Sequence, residues 1–252
     1  MELYICCEVT DIRRASANFG YGRPSHRILQ TSDSGALPLL LAAYNNLSTE
    51  EFTKVLRIIS VITFRYTIIG GLHTNLKENI YNIAAVKIST GQITTASNVA
   101  QEVRQLYTSD KDFKNAFSTS IISTKRGKKL VRYILFEIEN QLSGTDTDYE
   151  DSPATIEHIL PENSGVEWEN NFPLSIQESF IYRLGNYTIL EDDKNRLCGT
   201  KSFDEKKDIY HTSQYKMTKD ITASEWTTNT LERRQGRLAD TATAVWRLPY
   251  IN

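Results

Sequence analysis

The chain has 252 residues, enough for one large domain or two smaller ones that each bury a core, and we expect two. Hydrophobic residues make up 40% and charged residues 24%, which excludes a disordered or fibrous class. The net charge of -2 means that any nucleic-acid binding must come from a local basic patch rather than from overall charge.

The cysteines and the hydropathy pattern indicate a reducing, cytoplasmic environment. Cys6, Cys7 and Cys198 are odd in number and lack CxxC spacing, which argues against a disulfide framework and a zinc site. No apolar run approaches the roughly 20 residues of a membrane span, and no signal peptide is recognisable. We therefore expect no membrane association. The opening segment, 1–26, fits neither a helix nor a strand pair, so we expect the chain to begin partway into a longer protein.

Helical periodicity extends through the segment 1–142. Ser48 or Thr49 can cap a long amphipathic run, and Gly70, Gly71 and Gly91 can end helices. The predicted helices begin at Leu37 and then span Thr49–Ile69, 76–89, 97–107, 109–118 and 128–142. Residues 1–142 are thus predicted to form a helical domain, which we interpret as a connecting or DNA-engaging region.

The character of the sequence changes after this region. Residues 143–153 (SGTDTDYEDSP) are polar and acidic and predict a linker. TIEHILP and YTIL (187–190) then predict two short strands, and the second leads into the helix-prone EDDKNRL. A long amphipathic helix is expected from Thr222 to Trp246, with Trp226 on its buried face. We predict an α+β fold, mostly α, in which the second domain (154–252) holds a ββα finger embedded in helices.

Four residues of this second domain have side chains suited to phosphodiester hydrolysis. His158 titrates near neutral pH and can act as a base, while Glu157 offers the hard oxygen that Mg²⁺ or Mn²⁺ prefers. Asn186 and Asn195 supply amide oxygens, one of which could orient the imidazole and the other complete a metal site. Adjacent strand residues point to opposite faces unless the backbone bends, and each of the four taken alone could be a surface or turn residue.

The order of these segments resembles a known family. IEHILPE, LGNYTILEDDKNR, KSFDEKKDIYHTS and LERRQGRLADTATAVW follow one another as in the HNH-type (ββα-metal, His-Me finger) nuclease domain at the C-terminus of GmrSD-like type IV restriction enzymes. The resemblance covers about residues 126 to 248. The HNH domains of RNA-guided CRISPR nucleases are more distantly similar, with an acidic-His-Ile-x-Pro strand and an Asp-Lys-Asn-Arg helix.

The resemblance implies roles for the four residues. Glu157 stands at the position of the first metal-binding acid, His158 at that of the general base, Asn186 at that of the residue orienting the base, and Asn195 at that of the metal ligand on the helix. Asn195 replaces a histidine of many relatives, which favours Mg²⁺ or Mn²⁺ over zinc. The implied function is metal-dependent cutting of phage DNA, including modified DNA, in the prokaryotic cytoplasm.

Cations near these segments are candidates for contacts with DNA phosphates. Lys194, Arg196 and Lys201 accompany the predicted finger helix. Between Lys114 and Tyr133 there are six cations and no acid, including Lys128 and Lys129. A solvated surface is the alternative interpretation for all of them.

The remaining aromatic residues are interpreted as structural, and the remaining histidines as structural or surface residues. The long connection between His158 and Asn186 contains Trp168, Phe172 and a short predicted helix, which we expect to pack as structure rather than to stack on nucleic acid. His26, His73 and His211 lie outside any comparable setting.

The resemblance also implies a partner, and two alternative functions stay open. Relatives carry a ParB-like NTPase domain, but the sequence has no GxxxxGK[ST] loop, so an NTPase would lie in a missing part or a separate subunit. Oligomerisation is compatible with DNA cutting. The alternatives are a non-catalytic nucleic-acid-binding module, favoured if Glu157 and Asn195 cannot share an ion, and a ribonuclease or toxin that uses the same residues on RNA.

Overall fold

The computed structural model describes residues 34–249 and 251, which are mostly helical with one two-stranded antiparallel sheet. The prediction of an α+β fold dominated by helices is confirmed. The predictions for the opening segment, 1–26, including Cys6, Cys7 and His26, lie outside the described residues. No helix within 34–249 combines the length and the apolar character needed to span a membrane.

The bounds of the elements are as follows. The α-helices are α1 Leu37–Asn46, α2 Thr49–Ile62, α3 Thr74–Ser89, α4 Ala96–Glu102, α5 Asp110–Thr119, α6 Thr124–Ser143, α7 Leu174–Ile181, α8 Asp192–Cys198, α9 Phe203–His211, α10 Lys216–Lys219 and α11 Thr228–Val245. The strands are β1 Thr155–His158 and β2 Tyr187–Leu190. Residues Thr63–Ile69 are π-helical, and 3-10 turns include Val166–Trp168 and Leu184–Asn186.

Contacts divide the described residues into two units, 34–109 with 246–249 and 251, and Asp110–Val245. The predicted linker, 143–153, is a loop inside the second unit. Arg132 holds this loop, because its guanidinium donates to the carbonyl oxygens of Tyr149, Ser152 and Ala154. Independent folding on either side of this segment stays a prediction.

The first unit is built on the amphipathic helix α2. Ser48 caps it, accepting a hydrogen bond from the backbone N–H of Glu51, as the sequence predicts. The predicted helix Thr49–Ile69 is α-helical only to Ile62, and its last seven residues are π-helical. Arg65 lies in this π-helical part, buried, and donates to the carbonyl oxygen of Trp246 at 2.9 Å. The change from α-helix to π-helix therefore coincides with a buried arginine. Helical periodicity in the sequence does not predict that this side chain is buried.

The second unit is organised around α11. Its buried face packs on α5, on α6 and on the turn Leu184–Asn186. The helix predicted from Thr222 begins instead at Thr228, where the hydroxyl of Thr227 accepts from the N–H of Thr230. Trp226 therefore precedes the helix, and it is buried as expected. In the long connection between the strands, Trp168 and Phe172 are also buried, which supports their structural interpretation.

Candidate active site

The two strands and α8 follow one another as the predicted ββα unit. β1 and β2 are antiparallel, with Glu157 opposite Thr188 and His158 opposite Tyr187. Helix α8 begins two residues after β2 ends. All four candidate residues are thus carried by this unit or by the turn just before β2.

His158 lies at the end of β1 with its side chain 18% exposed. Its ring meets Tyr187 edge-on with centroids 4.9 Å apart. Its Nε2 atom is 3.3 Å from Thr124 Oγ1 and 3.3 Å from Glu162 Oε1. Burial lowers the pKa of His158 to about 4, although the Glu162 carboxylate acts in the opposite direction. The imidazole is therefore neutral near pH 7, and one ring nitrogen can accept a proton.

Thr124 places the start of α6 beside this imidazole. Ser123 caps the helix, and the residues that follow in its first turns are cationic. Among them Lys128 and Lys129 are exposed, and the Lys125 ammonium lies 5.3 Å from the centroid of the Tyr182 ring. A phosphate approaching His158 would thus lie near the Lys125 ammonium, because the Tyr182 ring contacts both side chains.

Glu157 points away from His158 and is 4% exposed. Its Oε1 accepts hydrogen bonds from Lys206 Nζ and from the Tyr210 hydroxyl, both at 2.8 Å. Burial raises the pKa of Glu157, whereas the neighbouring Lys206 charge opposes that rise. The carboxylate therefore already has a buried cation as its partner.

Lys206 is the site residue that sequence reasoning missed. Its fully buried ammonium also donates to the backbone carbonyl oxygens of His158, at 2.8 Å, and Ile159, at 3.2 Å. It thereby holds the end of β1 where the candidate base is carried. The available signal was a lysine between Phe203 and Tyr210 on the apolar face of α9, at spacings of three and four residues.

Asn186 is fully buried and uses its whole amide. Its Nδ2 donates to the carbonyl oxygens of Leu160 and Ile181, and its Oδ1 accepts from the Leu160 N–H and the Trp226 indole. Its backbone carbonyl accepts from the Ile159 N–H at 3.0 Å. Within the described chain its side chain makes no hydrogen bond to the His158 ring. Asn186 therefore acts on His158 only indirectly, by binding the backbone of Ile159 and Leu160.

Asn195 joins α8 to β1 from the half-buried face of the helix. Its Nδ2 donates to Thr155 Oγ1 at 2.8 Å and to the Ile156 carbonyl oxygen at 3.0 Å. No described residue donates to its Oδ1, so this amide oxygen remains available as a ligand for a hard cation.

The residues predicted to hold a metal ion do not form a ready site in this arrangement. Among the residues that the structure describes, no group of three or more His, Cys, Asp and Glu side chains converges. The donor types of Glu157 and Asn195 suit Mg²⁺, but the Glu157 carboxylate is already paired with Lys206. A divalent ion at Glu157 would have to displace the Lys206 ammonium.

The cations predicted to contact DNA differ in their exposure and in whether they already form ion pairs. Lys201 is exposed and, in the described part of the chain, its ammonium forms no hydrogen bond or ion pair. Arg196 is exposed but pairs with Asp192 at 2.7 Å. Lys194 is largely covered, with its ammonium bonded to Glu191 and to the Thr212 carbonyl oxygen. Lys201, together with Lys128 and Lys129, is therefore best placed to meet a ligand.

One comparison with known proteins identifies a family. The model of a family described as GmrSD restriction endonucleases, C-terminal domain, matches residues 107–241, more than half of the chain. No curated protein matches. All four candidate residues lie inside the match, and the resemblance inferred from the sequence is confirmed.

Proposed function

This chain belongs to the family of GmrSD restriction endonuclease C-terminal domains, and from that premise we propose that it is a metal-dependent HNH-type DNA endonuclease. It would act in restriction of phage DNA, including modified DNA. The observation that carries the proposal is a neutral, partly exposed imidazole at the end of β1, beside the cationic first turns of α6.

In the proposed reaction His158 is the general base. As a water oxygen forms its bond to phosphorus, the water proton passes to a ring nitrogen of His158, the bond from phosphorus to the 3′-oxygen breaks, and the departing 3′-oxygen takes a proton from solvent water. A bound phosphate favours the imidazolium, so substrate raises the pKa of His158 from its low value in the free protein. Asn186 is proposed as a positioning residue that fixes the backbone following His158.

Exposed cations of α6 and of the segment after α8 are proposed to bind the DNA backbone. Lys128, Lys129 and Lys201 are exposed and can contact phosphates without breaking an ion pair. Arg196 and Lys194 would first have to leave their carboxylate partners. Removal of the first three should therefore weaken DNA binding more than removal of the last two.

The cofactor is proposed to be Mg²⁺ or Mn²⁺, with Glu157 and Asn195 as the expected ligands. Family membership supports a divalent ion, and the free Oδ1 of Asn195 supports a hard cation. Because Lys206 occupies the Glu157 carboxylate, we assign no step of the reaction to the ion.

Cleavage assays test this function directly. Supercoiled plasmid and a structured RNA are incubated with wild type, with His158→Ala and with His211→Ala, in Mg²⁺, Mn²⁺ or EDTA. We expect metal-dependent DNA cutting, lost by about 10²- to 10⁴-fold in His158→Ala and retained in His211→Ala, whose exposed histidine serves as the matched control. Undiminished cutting by His158→Ala would overturn the proposal.

One observation favours a second candidate, a non-catalytic nucleic-acid-binding module. The buried Glu157–Lys206 pair fills the position where a metal-binding acid is expected. DNA binding without cutting, in any metal, would support this module. Cutting of RNA alone would instead indicate a ribonuclease.

A further inference from the structure

A cavity of about 240 Å³ opens in the second unit between residues 221–226 and the first half of α11. Three arginines line it, Arg233, Arg234 and Arg237, together with Thr222, Ser224 and Thr230. None of these residues is among those that contact His158. The cavity is therefore separate from the candidate active site and rich in hydrogen-bond donors.

The arginines converge because of their spacing on α11. Residues 230, 233, 234 and 237 recur at intervals of three and four, so they share one face of the helix. Thr230 lies in the first turn of the helix, where its N–H and hydroxyl are bonded to Thr227, so the arginines carry the positive charge of this face. The spacing along the helix thus gathers side chains that favour an anion.

Two of the three arginines have no partner within the described residues. Arg233 and Arg237 are exposed, and their guanidinium groups form neither an ion pair nor a hydrogen bond in that part of the chain. The nearby acid Asp220 is already paired with Lys216, at 2.9 Å. The mouth of the cavity therefore carries two guanidinium groups that form no ion pair with a described carboxylate.

The third arginine forms the inner wall. Arg234 is buried and donates to the carbonyl oxygens of Gly185, at 2.8 Å, and Tyr187, at 2.7 Å, on either side of Asn186. Trp226, also in the lining, donates its indole N–H to Asn186. The wall of the cavity is thus continuous with the groups that hold the candidate site in place.

The volume of the cavity indicates the size of the anion that it can bind. Small-molecule pockets usually measure roughly 300–1,000 Å³, so this smaller cavity suits a phosphate group better than a whole nucleotide. A guanidinium fork binds phosphate oxygens in a bidentate manner. We propose that the cavity binds a backbone phosphate of the DNA substrate other than the one that is cut. This inference rests on the proposed function, and inorganic phosphate is the alternative source of the same group.

Salt-dependent binding tests the proposal. Affinity for a duplex is measured by fluorescence anisotropy in EDTA at several KCl concentrations, for wild type, Arg233→Gln/Arg237→Gln and Lys111→Gln/Lys207→Gln. The last variant loses the same charge at sites outside the cavity. Loss of one phosphate contact should reduce the slope of log affinity against log salt by about 0.9, weakening binding about fivefold near 0.15 M salt. The control should retain a slope closer to that of wild type.

A second measurement separates the outcomes. Thermal melting with inorganic phosphate at constant ionic strength reports a free-anion site. Stabilisation by phosphate that the arginine variant lacks, with a wild-type slope for DNA, would overturn the DNA assignment, as would no change in either assay. Thermal melting without ligand shows whether the double arginine variant is folded. If it is not, the single variant Arg237→Gln is measured in its place. If the wild type cuts plasmid but the arginine variant keeps the wild-type salt slope, only this inference is refuted. If the wild type never cuts but the salt slope of the arginine variant is reduced, only the proposed nuclease function is refuted.

Discussion

Lys206 buries a charged ammonium group in the core of the second unit. The Lys206 ammonium carries three N–H donors and has three acceptors, Glu157 Oε1 and the carbonyl oxygens of His158 and Ile159. Burying a charge is costly unless it is paired and fully hydrogen-bonded. Lys206 meets both conditions, and in doing so it fixes the backbone of the candidate base.

Replacing Lys206 should therefore destabilise the protein strongly. Lys206→Met leaves the Glu157 carboxylate buried without its cation, and breaking such a pair costs about 3–5 kcal/mol of the free energy of unfolding. Urea denaturation measures this loss. Lys207→Met, the neighbouring residue with only a 3.7 Å ion pair, serves as the control. Glu157→Gln/Lys206→Met should recover part of the loss, and equal stability of the two single lysine variants would contradict the assigned role.

His158 should make stability depend on pH. The unfolded chain protonates this residue near pH 6.5, whereas burial lowers the pKa to about 4 in the folded chain. Between these values the unfolded state binds more protons, so the free energy of unfolding decreases as the pH falls from 6.5 to 4. Urea denaturation at pH 7, 5.5 and 4.5 should show the stability advantage of wild type over His158→Gln shrinking. A constant difference across this range would exclude a buried, neutral imidazole.

The sequence allowed candidate residues to be chosen, but it did not predict which groups their side chains contact. His158, Glu157 and Asn195 could be chosen because the order of the motifs along the chain matches that of the family. The Lys206 pairing depends on how α9 lies against β1, 49 residues earlier, and short-range periodicity does not specify such a register. The partner of Asn186 was equally non-local. The sequence predicts that one of the two asparagines contacts the imidazole, yet the Asn186 amide binds the backbone of Leu160.

Among the elements, the turn before β2 is held more firmly than α8. Asn186 in that turn makes four buried side-chain hydrogen bonds, whereas Asn195 on α8 makes two that are partly buried. The same turn packs tightly on α11, since a Cβ added at Gly185 would lie 2.8 Å from the Leu231 carbonyl oxygen. The turn therefore connects β1, β2 and α11.

Substitution of the two asparagines should reveal this difference. Asn186→Ala leaves buried donors and acceptors without partners, each costing about 1–3 kcal/mol, so we expect a large decrease in the free energy of unfolding. Asn195→Ala should cost only about 1 kcal/mol, because its partners lie nearer to solvent. Urea denaturation of both variants provides the comparison. A larger loss for Asn195→Ala would show that α8, and not the turn, anchors the hairpin.

Most elements were predictable, and the errors lie where tertiary contacts decide. Alternation and composition predicted β2 with its observed bounds, and caps and glycines predicted most helices. Periodicity could not reveal that Thr63–Ile69 is π-helical, since the apolar pattern of such a turn resembles that of an α-helix. Residues 222–227 also have a helical pattern, yet Trp226 turns inward to Asn186 before α11 begins.

At the scale of the whole molecule, the sequence predicted the fold class and the family but not how the helices group. Helical patterns before and after residue 110 look alike. The second unit is defined by packing of α5 and α6 on α11, such as the Gln235 amide donating to the Phe117 carbonyl oxygen 118 residues earlier. Pairings at such separation leave no local signal.

The whole chain should also respond differently to chelation in its activity and in its stability. Lys206 supplies the positive charge beside Glu157 from within the fold, so the fold does not depend on a divalent ion at that position. We expect EDTA to abolish plasmid cutting while leaving the melting temperature of the DNA-free protein unchanged. Calorimetry in EDTA and in Mg²⁺, beside the cleavage assay, measures both. A melting temperature that falls markedly in EDTA would mean that a bound ion contributes to folding, and that Glu157 exchanges Lys206 for metal before any DNA arrives.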